Sequence, residues 1–180
     1  MSFDLAGLLS QFVGGSRIAI SANAPDQFHQ AAQNAPPDLV SQGLSAMFKS
    51  DQTPAFGQMA GQLFGQANPN QQAGMLNQML GSMGPSVLAS LLGGVGGAGL
   101  SGILGQLSGN AEPAALTPEQ ASQLTPVQVQ DIAHHAEQNS PGIIDKMSVF
   151  YAEHPGLVKT LGGAALAIAL AKMAESHQDQ

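Results

Sequence analysis

Apolar residues recur along this chain at spacings of three and four, the period of helices that bury one face, and the polar positions between them carry the marks of helix starts. Five times a side chain able to cap a helix is followed by proline: Thr53-Pro54, Asn68-Pro69, Thr117-Pro118, Thr125-Pro126 and Ser140-Pro141. Proline at the first helical position gives up only an N–H that had no partner. At three of these sites a glutamine stands three residues beyond the cap (Gln71, Gln120 and Gln128), placed to reach back to the cap N–H in a reciprocal capping box. Pro37-Asp38, Gly84-Pro85 and His154-Pro155 are weaker forms of the same signal.

These marks predict helices over 3–13, 26–33, 38–49, 54–66, 70–82, 85–107, 118–123, 126–138, 141–153 and 156–175. Only Arg17 to Ser21 (RIAIS) alternates in the strand sense, and it is too short to build a sheet. The predicted class is all-α, a multi-helix bundle of short helices with a Gly-rich, uncharged central segment.

That segment is the most unusual part of the pattern. From Gln52 to Ala111, 60 consecutive positions hold no Asp, Glu, Lys, Arg or His. Gly57, Gly61 and Gly65 recur every four residues inside it, as do Gly93, Gly97, Ser101, Gly105 and Gly109. Four residues is just over one turn, so each series would line one side of a helix with positions lacking bulk and let a second backbone come close. The second series resembles the glycine zippers of membrane-inserting and tightly packed oligomeric helices. Glycine also costs a helix about 1 kcal/mol relative to alanine, so Gly93 to Gly99 forms a helix only where close neighbours hold it.

Composition divides the chain into 1–67, short amphipathic helices; 68–111, rich in Gly, Gln, Met and Leu; and 112–180, where charge returns after Gly109 to Pro113. Leu, Ile, Val and Phe make up roughly 23% of the residues, a thin supply for a core, so close backbone packing or contacts between copies must supply part of the burial. The formal charge is -7, with only 9% of residues charged. The five basic residues, Arg17, Lys49, Lys146, Lys159 and Lys172, are scattered, which argues against a nucleic-acid partner. Cysteine is absent, removing disulfides and thiolate chemistry. The amino-terminal segment has Asp4 and no early Lys or Arg, unlike a secretory signal, so cytoplasmic residence is expected.

Chemistry-bearing motifs are few. Asp131 and His135 would sit one turn apart on a helix and could share a metal ion, with His134 and Glu137 nearby, but two ligands do not complete a site and a solvated helix face is the ordinary reading. Neither a phosphate loop, a GxSxG elbow nor an HExxH pair occurs. No enzyme activity, cofactor or metal is therefore expected. Met59, Met75, Met79 and Met83 form a soft apolar series suited to filling a core or repacking against partners.

Two segments have the hydrophobicity to meet lipid. Pro85 to Ser108 is 24 residues without charge, long enough to cross a bilayer as a helix but poor in bulky side chains and interfacial anchors. Leu157 to Met173 is apolar, but Lys159 and Lys172 leave 12 uncharged positions between them, about 18 Å of helix and short of a span. A buried central helix or a membrane-surface helix fits it better. At the amino terminus, Phe3, Leu5, Leu8, Leu9, Phe12 and Val13 form one apolar stripe that seeks its own domain or a neighbouring subunit.

Two long stretches, Ser50 to Leu80 (SDQTPAFGQMAGQLFGQANPNQQAGMLNQML) and Leu116 to Glu175 (LTPEQASQLTPVQVQDIAHHAEQ through ALAKMAE), resemble hypothetical bacterial proteins with no assigned activity. More distantly, the Gly-Leu run, the P-E-Q helix start and the I-D-K-M segment (Ile144 to Met147) are similar to the YidB-like family of small helical proteins. The resemblance implies a bacterial, helical, non-catalytic protein and supplies no catalytic residues.

The expectation is a structural protein that self-assembles into a homo-oligomer, filament or shell. Its assembly residues would be Gly57, Gly61, Gly65, Gly93, Gly97, Ser101, Gly105 and Gly109, with Phe3, Leu8 and Phe12 as an amino-terminal anchor. The alternatives are a membrane-active or membrane-associated protein using Pro85 to Ser108 and Leu157 to Met173, and a helical binding module for an apolar ligand.

Overall fold

The computed structural model describes residues 7, 17–84, 86–87, 102 and 115–178. Among them the chain forms nine helices and no strand: α1 (Arg17–Asn34), α2 (Pro37–Phe48), α3 (Phe56–Gln66), α4 (Pro69–Ser82), α5 (Pro118–Ala121), α6 (Pro126–Asn139), α7 (Ile143–Glu153), α8 (Pro155–Val158) and α9 (Gly163–Gln178). The protein is all-α. The predicted helices at 3–13 and 85–107 fall outside the described residues, apart from Gly7, Ser86, Val87 and Gly102.

The reciprocal caps form where the glutamine spacing placed them. Asn68 Oδ1 accepts from the Gln71 N–H at 3.0 Å while Gln71 Oε1 accepts from the Asn68 N–H at 3.1 Å. Thr117 with Gln120 and Thr125 with Gln128 repeat the exchange at the starts of α5 and α6. Each such cap contributes about 1 kcal/mol.

Thr53 and Ser140 lack the glutamine, and no helix begins at the proline that follows either of them. The Thr53 hydroxyl turns back to the carbonyls of Met47 and Ser50, closing a turn, and α3 begins only at Phe56. Ser140 Oγ donates to the Ser82 carbonyl at 2.6 Å, tying the end of α6 to the end of α4, and α7 begins at Ile143. Without the second half of the box, each hydroxyl is taken by a carbonyl outside the following helix.

Two further expectations are corrected. Arg17 to Ser21 is helical, the first turns of an α1 that runs 18 residues. Five alternating residues cannot outweigh a helix anchored by Ala24, Phe28 and Ala31, all buried at helical spacing. Pro25 sits inside α1 and removes one backbone hydrogen bond, a cost of about 3 kcal/mol that the packing of this face must offset. The helix expected over 156–175 is two helices. The Thr160 hydroxyl donates to the Leu157 carbonyl at 2.8 Å, the Leu161 N–H meets Val158 O at 2.9 Å, and Leu161 is buried in the turn. The Gly162-Gly163 pair that follows has little helical preference to resist the break.

The chain folds as two compact units, residues 1–55 with 144–180 and residues 56–143. In unit 1, α9 packs on α1 and α2, and α8 packs on α1. In unit 2, α3 lies on α6, and α4 packs on α5 and α6. The compositional boundaries at 67/68 and 111/112 do not coincide with these units, since residues 56–66 pack on 126–139 within unit 2.

Met59, Met75, Met79 and Met83 are all buried in unit 2. In unit 1, Tyr151 is wholly buried with its ring 5.5 Å from Phe48 and 5.7 Å from Phe150. Its hydroxyl has no hydrogen-bond partner among the described residues, and burial pushes the phenol far above its ordinary pKa. A buried, unmade hydrogen bond costs about 1–3 kcal/mol. Tyr151→Phe is therefore expected to raise the urea midpoint of unfolding by the equivalent of roughly 1 kcal/mol; a lowered midpoint would show that the hydroxyl is satisfied.

Candidate functional site

Both units contain helix crossings at glycine. On α3, Gly57 and Gly61 are buried against α6. A Cβ at Gly61 would stand 2.6 Å from the Pro126 carbonyl oxygen and collide with the Gln130 side chain; one at Gly57 would stand 3.0 Å from the Gln130 carbonyl oxygen. Gly65, one turn further, is exposed, and a Cβ there would lie 3.4 Å from Pro126 Cγ. The second backbone expected for this series is thus α6 of the same chain at Gly57 and Gly61, and these two residues are occupied within unit 2. Gly93, Gly97, Ser101, Gly105, Gly109, Phe3, Leu8 and Phe12 lie outside the described residues.

A third crossing glycine did not figure among the expected contact residues. Gly43 is buried on α2, where a Cβ would lie 2.7 Å from the Ala169 carbonyl oxygen and 2.6 Å from Met173 Cγ of α9. The signal for it was present, because Gly43 continues the series Leu39, Gly43, Met47 on the apolar face of a predicted helix.

Beside that crossing, α2, α7 and α9 border a groove of about 380 Å³ lined by Ser41, Gln42, Ser45, Ala46, Lys49, Asp145, Val149 and Lys172. Asp145 accepts from the Ser45 hydroxyl and, at 2.8 Å, from Lys49 Nζ. These bonds hold the Asp145 carboxyl below its ordinary pKa, Lys49 contributing most and Ser45 next. Lys172 pairs along its own helix with Glu175 at 3.1 Å. A serine and lysine one turn apart can form a nucleophilic pair only where the amine is neutral and takes the hydroxyl proton. Here Lys49 is ion-paired and the Ser45 proton points at a carboxylate. The three groups join α2 to α7 as a polar clamp.

A second ion pair, Lys159 to Asp26 at 2.6 Å, ties the turn after α8 to α1 and lowers the Asp26 pKa through the lysine's hydrogen bond and charge. On α6, His134 is exposed with its Nε2 2.9 Å from Gln138 Nε2, while Asp131, His135 and Glu137 are half-buried. Among the described residues no group of three or more His, Asp or Glu is placed to hold a metal ion. Among those residues, too, no helix is long and apolar enough to cross a membrane. Of the two readings of Leu157 to Met173, the buried helix matches the burial of Leu166, Ala169, Leu170 and Met173 in unit 1, although the segment is interrupted at 159–162. Pro85 to Ser108 lies almost entirely outside the described residues.

Charge is divided unevenly between the units. All five Lys and Arg residues belong to unit 1, whereas unit 2 has Glu112, Glu119, Asp131 and Glu137 and no basic residue. No protein-family model matches the chain, and neither a curated protein nor a solved structure matches it.

Two measurements follow. Gly43→Ala should destabilise the protein by about 1–3 kcal/mol, because a helix carbonyl cannot move aside cheaply, whereas Gly81→Ala, on α4 with nothing within 4 Å, should stabilise it by up to about 1 kcal/mol. Urea unfolding of the two variants checks the contrast. Asp145 and Asp26 both have folded pKa values below those of the unfolded chain, so their contribution is complete above about pH 4 and is lost as pH falls through the lower, folded values. Asp145→Asn should therefore flatten the acid limb of stability below about pH 4, by less than about 1 kcal/mol because the pair is solvent-exposed, and leave its slope near pH 7 unchanged.

Proposed function

We propose that this protein is non-enzymatic and structural, a cytoplasmic bacterial protein whose copies associate through the uncharged, lightly built surface between Gln52 and Ala111 into a homo-oligomer, filament or shell. The observation that carries this reading is the run of 60 positions without a charge in a protein of net charge -7. Solvent-facing helices normally carry charged residues over roughly 25–35% of their surface. On α3 and α4, the described helices of the run, the exposed positions are instead carboxamides, glycine and proline, among them Gln58, Gln62, Gln66, Asn70 and Gln78.

The Gly93 to Gly109 series adds small residues at helical spacing within the same run. Support also comes from the way this chain uses such residues elsewhere: at Gly43, Gly57 and Gly61 the vacant side of the helix is filled by another helix backbone. The resemblance to the YidB-like small helical proteins belongs to this reading and rests on its residues alone.

Light scattering on the purified chain tests it. Association should appear as a mass that rises with concentration above the 18.3 kDa of one copy. Gly97→Leu with Gly105→Leu should block assembly or change its stoichiometry, since a leucine side chain holds the backbones apart. A concentration-independent mass of one copy ends the proposal.

A further inference from the structure

We draw no further inference here: the strongest candidate, the groove of unit 1 bordered by α2, α7 and α9, is one whose hydroxyl and ammonium groups already hold partners within the chain, Ser41 on the Asp38 carbonyl, Ser45 and Lys49 on Asp145 and Lys172 on Glu175, and nothing in the structure shows what would occupy it.

Discussion

Helix backbones in this protein approach one another where side chains have been reduced to a hydrogen or a methyl group, and that approach sets the geometry of both units. In unit 1, Gly43 on α2 sits under the Ala169 carbonyl of α9; in unit 2, Gly57 and Gly61 on α3 sit under the carbonyls of α6. Close approach gathers many weak dispersion contacts and brings Cα hydrogens near carbonyl oxygens, which individually contribute little and together favour one crossing. A chain with few bulky apolar residues gains in proximity what it lacks in side-chain area. The same economy constrains it, because a single added methyl group at a crossing meets backbone.

Polar groups finish what the crossings begin. Asp145 clamps α2 to α7 through Ser45 and Lys49, and Lys159 clamps the turn after α8 to α1 through Asp26. In unit 2 the corresponding ties are neutral: Asn77 exchanges hydrogen bonds with both the N–H and the carbonyl of Leu116, and Ser140 holds the Ser82 carbonyl. Ionic clamps occur where the basic residues are, and amide or hydroxyl clamps where there are none. The division follows the charge segregation along the chain and leaves unit 2 much less dependent on ionic strength for its internal contacts.

Much of this fold is legible in the sequence, and the residues show why. The three capping boxes are local, complete within four residues, and form at Asn68, Thr117 and Thr125. Thr53 and Ser140 offer the same cap and proline without the reciprocal glutamine; the Thr53 hydroxyl goes to the nearby Met47 and Ser50 carbonyls and the Ser140 hydroxyl to the distant Ser82 carbonyl. The break at 159–162 depends on burying Leu161, which periodicity alone does not reveal in so apolar a stretch. For the candidate contact surface, glycine spacing identifies Gly57 and Gly61 as places of close approach but cannot say whether the partner backbone lies in the same chain. In the fold, α6 of the same chain lies against both of these residues.

Unit 1 is assembled from two stretches of chain with all of unit 2 between them, and Lys49 meets Asp145 across 96 residues. On a ribosome adding about 5–20 residues per second, α1 and α2 emerge roughly 5–20 s before α7 and α9 exist to cover Phe28, Leu44 and Phe48. Unit 2, contiguous from 56 to 143, has its full sequence available first. The amino-terminal helices therefore have no cover for their apolar faces until residues 144–180 have been made.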